Sequence, residues 1–134
     1  MKGLVLALIA FVNAGSFLQG QAVGEPCMKS PSFVISSFIV DPWPLYLNQA
    51  YSISVFGTFK NSELLNQLTV GVKREFSWNN TIFYVDKSFP EGTNHTFSYK
   101  LQGPVDKGRY TEQVTLNRQD YSIVACWEFK YQIS

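Results

Sequence analysis

The C-terminal stretch Tyr121 to Ser134, YSIVACWEFKYQIS, constrains the fold more than any other part of the chain. Its odd positions, Tyr121, Ile123, Ala125, Trp127, Phe129, Tyr131 and Ile133, are apolar, and its even positions mix Ser122, Val124, Cys126, Glu128, Lys130 and Gln132. Alternation of this length is the mark of a β-strand with one buried face. All the buried-face residues but Ala125 are large, so the strand needs an equally large apolar surface opposite it. Cys126 points to the other face, where it is better placed to tie down a second segment than to fill the core.

That second segment is expected at the other end of the chain. Only two cysteines occur, Cys27 and Cys126. The chain opens with Lys2, an apolar run from Leu4 to Val12, and small and polar residues from Asn13 to Gly24. This is the pattern of a secretory signal peptide, expected over residues 1–20 with cleavage between Ala14 and Ala22, and too short for a membrane span. Residues 21–134 then form one domain of about 115 residues. In an oxidising compartment the two cysteines read as one disulfide that staples the ends of this domain together. Asn79-Asn80-Thr81 and Asn94-His95-Thr96 are glycan acceptor patterns that agree with secretion, naming Asn79 and Asn94 as candidate glycosylation sites. Without Lys2 the basic and acidic side chains number ten each, so no nucleic-acid partner is expected, because phosphate recognition needs a basic stripe.

Between the cysteines the chain reads as short strands separated by turn residues. Ser32–Val40 is β-branched and aromatic and stops at Asp41-Pro42-Trp43-Pro44. Tyr51–Lys60 alternates with Tyr51, Ile53, Val55 and Phe59 on one face. Asn61–Asn66 reads as a loop or a single helical turn. Leu68–Phe76 alternates with Leu68, Val70, Val72, Arg74 and Phe76 on one face, Trp78-Asn79-Asn80 reads as a turn, and Thr81–Asp86 as a strand apolar on both faces. After a loop at Pro90–Asn94, His95, Phe97, Tyr99 and Leu101 alternate with polar residues. Gly103-Pro104 and Lys107-Gly108 bracket a turn, and Tyr110–Asn117 gives a strand with Val114 and Leu116 inward. No segment has a helical period. About seven short strands at steady spacing argue an all-β, immunoglobulin-like antiparallel β-sandwich. Eleven Phe, seven Tyr and three Trp are many for so small a domain. They suit either a dry core or an apolar cavity between sheets that do not fully close.

The chemistry of an enzyme is missing from this pattern. The lone His95 starts a strand inside a glycan acceptor triplet, and both cysteines are taken by the disulfide. No nucleophile elbow, phosphate-cradling glycine loop or metal-ligand spacing occurs, and the carboxylates are scattered singly. The chain is therefore expected to be a non-enzyme without cofactor or metal.

The closing strand also carries a family resemblance. Cys126-Trp127-Glu128 followed by Tyr131-Gln132-Ile133, Gly71-Val72 running to Phe76, Pro90 with the aromatic strand after it, and Pro104-Val105 leading to Tyr110 resemble the ML, or lipid-recognition, family of secreted sterol carriers. The resemblance spans roughly Cys27 to Ser134. It implies an immunoglobulin-like sandwich with a deep apolar pocket that takes a sterol or another lipid tail. The family's first-to-last disulfide falls on Cys27 and Cys126, and its pocket residues map to Phe76, Val105, Tyr110 and Trp127. Phe97, Tyr99, Phe56 and Phe59 are weaker candidates by parity, for which ordinary core is the competing role. Two further family disulfides are missing, and Phe89 stands where a cysteine would precede Pro90. Arg74 shares a strand face with Phe76, which sets a guanidinium either at the pocket mouth, suited to a phosphate or carboxylate headgroup, or on a strand edge as a guard against aggregation.

These features lead to the expectation of a secreted lipid-binding and transfer protein, extracellular or in the lysosomal or endosomal lumen. It would be a monomer with a sterol or phospholipid ligand, in transient contact with membranes through Trp43 or Trp78, and with or without an acceptor protein. The alternative is a secreted lipid-presenting or protein-recognition sandwich that acts as a co-receptor, adhesion or innate-immunity component.

Overall fold

The computed structural model describes residues 20–134; the segment read as a signal peptide, apart from Gly20, lies outside them. The described residues form nine strands and no helix: β1 (Gln21–Ala22), β2 (Glu25–Pro26), β3 (Phe33–Asp41), β4 (Ala50–Phe59), β5 (Glu63–Arg74), β6 (Ser77–Phe89), β7 (Asn94–Gln102), β8 (Gly108–Arg118) and β9 (Ile123–Ile133). Two antiparallel sheets result, one in the order β1-β3-β4-β7 and the other β2-β9-β8-β5-β6. This is the expected immunoglobulin-like β-sandwich, with seven long strands and two short N-terminal ones.

The period-2 pattern places the core. In β4, Tyr51, Ile53, Val55 and Phe59 point inward, facing Leu68 and Val70 of β5, Val114 and Leu116 of β8, and Phe129 of β9. At the end of the sandwich marked by Phe33, Phe59, Phe89 and Phe97, ring centroids lie 4.6 to 5.7 Å apart and the space between the sheets is filled. Gly57 makes this packing possible, because the Val34 carbonyl oxygen and the Phe33 ring crowd the place where a Cβ would stand.

Cys126 lies on the outer side of β9 and forms a disulfide with Cys27, next to β2, which pairs with β9 through Glu25↔Glu128 and Pro26↔Trp127. The cysteine that turns away from the core thus holds the chain's beginning against its end.

Three local expectations are corrected. Asn61–Asn66 is neither loop nor helical turn, because β5 begins at Glu63 and Asn66 occupies a bulge between Leu65 and Gln67. The polar start of this strand is held by charge: Arg118 donates to both Glu63 carboxylate oxygens at 2.7 and 2.8 Å. Trp78-Asn79-Asn80 is strand, and the turn falls at Glu75-Phe76, with Glu75 at φ 57°. Glycine or asparagine usually fills such a position, so the two asparagines drew the turn signal away from it. Finally, Tyr121 sits in a turn at φ 67° and is 68% exposed. The register shift between Leu116 and Asn117 flips the parity of β9, so that Val124 is buried and Ile123 is not.

Candidate functional site

The sandwich is dry at one end and hollow at the other. The outermost strands β6 and β7 approach each other through the Phe83–Tyr99 stack, with centroids 4.3 Å apart. Beyond that stack they diverge, and a cavity of about 830 Å³ opens between the sheets. Its apolar walls are Val72 from β5, Phe83 from β6, Leu101 from β7, and Pro104 and Val105 from the loop after β7. Tyr51, Tyr110 and Tyr131 close its inner side. Arg74, Glu75, Asn79, Lys100 and Asp106 stand among the polar residues around its opening. A shallower depression of about 620 Å³ shares Glu75, Tyr110 and Tyr131 and is otherwise lined by the polar residues Lys73, Arg109, Thr111, Lys130 and Gln132.

The loop that forms one lip is tied down by backbone bonds. Gly103 N–H donates to the Gln49 carbonyl at 2.8 Å and Asn48 N–H to the Pro104 carbonyl at 2.8 Å. A Cβ on Gly103 would stand 2.4 Å from that Gln49 oxygen, so only glycine permits the approach. Tyr110 donates its phenol proton to the Asp106 carbonyl at 2.7 Å, which pins the loop from below.

Behind the tyrosines lies a buried acid. Glu112 is fully buried, and its side chain accepts from the Tyr51 hydroxyl at 2.8 and 2.9 Å and from the Tyr131 hydroxyl at 3.2 Å. Burial pushes its carboxyl up to about 7, against the two hydrogen bonds, which favour the ionised form. The same burial, reinforced by the neighbouring carboxylate, pushes the Tyr51 and Tyr131 phenols above their usual range, so both stay protonated. No salt bridge among the described residues includes Glu112.

The residues singled out from sequence fall in different places. Val105 and Tyr110 line the cavity. Phe76 is 98% exposed at the tip of the β5–β6 hairpin, next to the opening. Arg74 lines the opening, with its guanidinium 3.9 Å from the Asp106 carboxylate. Trp127 lies outside the lining: midway along β9 it stacks on Phe38 at 5.7 Å and donates to the Val23 carbonyl at 2.8 Å. Phe59 and Phe97 belong to the dry end, Phe56 faces outward, and Tyr99 stacks on Phe83 without lining the cavity itself. Trp43 is half-buried against Phe129 and Tyr131, whereas Trp78 is exposed with Lys73 over its ring. Asn94 is exposed and accepts from the Thr58 hydroxyl at 2.6 Å, and Asn79 is an exposed residue of the cavity rim.

Sequence reasoning missed Tyr51, Glu112 and Tyr131 as a group, together with Val72, Phe83 and Leu101. A signal for the acid was present, since Glu112 has the same strand parity as Tyr110, Val114 and Leu116.

Solved structures with the same architecture include proteins of different kinds. The C-terminal domain of wzt aligns with a TM-score of 0.65 at 13% identity, over 86% of this chain and 78% of that domain. A Niemann-Pick type C2 protein from Japanese carpenter ant aligns with a TM-score of 0.58 at 12% identity, over 84% of this chain and 99% of that one. Chicken MD-1, complexed with lipid IVa, aligns with a TM-score of 0.56 at 13% identity, over 81% and 86%. This chain shares their fold. The sandwich anticipated from the sequence is thus found at the level of architecture. No protein-family model matches the chain, and no curated protein matches it in sequence.

Proposed function

We propose that this protein is a secreted lipid-binding and transfer protein that holds a sterol or a similar lipid between its two sheets and exchanges it with membranes. The observation that carries this reading is the cavity beyond the Phe83–Tyr99 stack. Its volume of about 830 Å³ lies within the range of roughly 300–1,000 Å³ usual for small-molecule sites. It is reached from one end of the sandwich and walled by Val72, Phe83, Leu101 and Val105. The fold shared with a Niemann-Pick type C2 protein and with a lipid IVa complex of MD-1 supports the same reading.

Carriage of a lipid requires no bond-making. Burying roughly 400 Å² of apolar ligand surface at about 25 cal/mol/Å² supplies on the order of 10 kcal/mol before association costs. That is comparable with what a bilayer offers the same surface, so small differences at the opening set the direction of transfer. Phe76 and Val105, both exposed beside the opening, are the groups we assign to contact with the lipid or the membrane during exchange, and Tyr110 to the cavity wall. Arg74 and Lys100 at the rim suit an anionic headgroup left outside.

The test is mass spectrometry of organic extracts of the protein secreted from a eukaryotic host, beside a Val72→Asp variant whose fold is checked by circular dichroism. A stoichiometric sterol or phospholipid on the wild type, lost in the folded variant, is the expected result. A clean extract together with no uptake of added sterol or phospholipid would overturn the reading. Transfer between donor and acceptor vesicles then separates a carrier from a protein that only presents its lipid.

A further inference from the structure

The tyrosines on the inner side of the cavity have all committed their phenol protons to the protein. Tyr110 donates to the Asp106 carbonyl, and Tyr51 and Tyr131 both donate to the Glu112 carboxylate. An ionised carboxylate only accepts, so while Glu112 is ionised neither phenol proton is free to turn elsewhere. A phenol oxygen that has given its proton still has lone pairs. The inner side of the cavity is therefore a hydrogen-bond acceptor, while donors such as Arg74 and Lys100 stand at its opening.

We propose that Glu112, acting through Tyr51 and Tyr131, selects ligands whose inner end carries a hydrogen-bond donor, an alcohol being the simplest case. This rests on the lipid-binding reading above and specifies the chemistry of its ligand. An alcohol at the inner end donates its proton to a phenol oxygen, and the pair replaces the bond to water that the alcohol gave up. An ether or ester of the same length has only acceptors to offer and faces acceptors, so its oxygen enters the cavity unsatisfied. Glu112 is a positioning residue here: it touches no ligand, and it fixes which way the two phenols point their protons. Tyr51 and Tyr131 come from opposite sheets, on β4 and β9, so the carboxylate on β8 sets both at once.

The experiment compares dodecan-1-ol with its methyl ether, titrated calorimetrically into the full secreted protein at pH 8, where Glu112 is ionised. The alcohol is expected to bind about fivefold more tightly, the worth of roughly one net hydrogen bond. In Glu112→Gln the amide can donate to one phenol and accept from the other, which frees a phenol proton for an ether oxygen. The preference should then fall below about twofold while the summed affinity for the two ligands is kept. Tyr131→Phe, which removes one of the two acceptor oxygens that Glu112 orients, is expected to weaken the alcohol and leave the ether unchanged. Equal binding of alcohol and ether to the wild type overturns the inference and leaves the cavity reading intact, as does an undiminished preference in Glu112→Gln. Failure of both ligands to bind overturns the lipid-binding reading, and this inference with it.

Discussion

A carboxylate with no exposure inside an aromatic sandwich is costly, and Glu112 shows how that cost is distributed. Two phenols donate to it, yet burial outweighs them and its carboxyl is pushed up from 4.5 to about 7. The unfolded chain releases this proton near pH 4.5 and the folded chain keeps it until about 7, so the folded state binds more protons between those values. Stability therefore falls as pH rises through that window, by up to about 1.4 kcal/mol per pH unit within it, and is level above it. Glu63 has the opposite sign. The hydrogen bonds from Arg118 hold its carboxyl below 4.5, so its contribution is present above that value and lost as pH falls below it. Urea unfolding of Glu112→Gln at a series of pH values should remove the decline between about pH 4.5 and 7 while the acid limb assigned to Glu63 persists. An unchanged decline would mean that Glu112 does not carry it.

Among the elements, the β5–β6 hairpin bears most directly on the site, because it forms one jaw of the opening. It turns in two residues, and the first, Glu75, sits at φ 57° where a side chain is strained. Replacing it with glycine should stabilise the protein by about 0.5–1 kcal/mol, read as a higher denaturant midpoint, since the relief exceeds the entropy that glycine adds to the unfolded chain. A lower midpoint would show that the Glu75 side chain contributes more than its backbone costs. The same feature hid the turn from sequence reasoning. Nothing local marks Glu75-Phe76 as a turn, whereas Asn79-Asn80 looks like one and is instead paired with Val72 and Gly71 along the ladder.

For the molecule as a whole, dense packing and open space occupy opposite ends. The rings of Phe33, Phe59, Phe89 and Phe97 fill one end, and the cavity leaves the other hollow. The hollow end forgoes apolar burial that a dry sandwich of this size would have. The Cys27–Cys126 disulfide, with a sequence separation of 99, offsets part of that loss by restricting the unfolded chain. Changing both cysteines to serine should lower stability by about 4 kcal/mol on the chain-entropy account, seen as a fall in Tm. A Tm unchanged by the double substitution would show that packing of β2 against β9 holds the ends without the bond.

What the sequence determined by itself was whatever follows from short-range periodicity and from counting. The alternation of β4, β7, β8 and β9 gave the sandwich, since a period of two leaves one face to bury. Two cysteines, one near each end, gave the disulfide, and the resemblance in the closing strand anticipated the kind of sandwich. The tertiary structure alone decided which end is hollow, because that depends on how far β6 and β7 diverge beyond Phe83 and Tyr99, strands that are neighbours only across the gap between the sheets. It alone sent Trp127 to Phe38, on the flank of the sandwich away from the cavity. It alone joined Tyr51, Glu112 and Tyr131, which stand 61 and then 19 positions apart along the chain and meet because three strands from two sheets converge on one point.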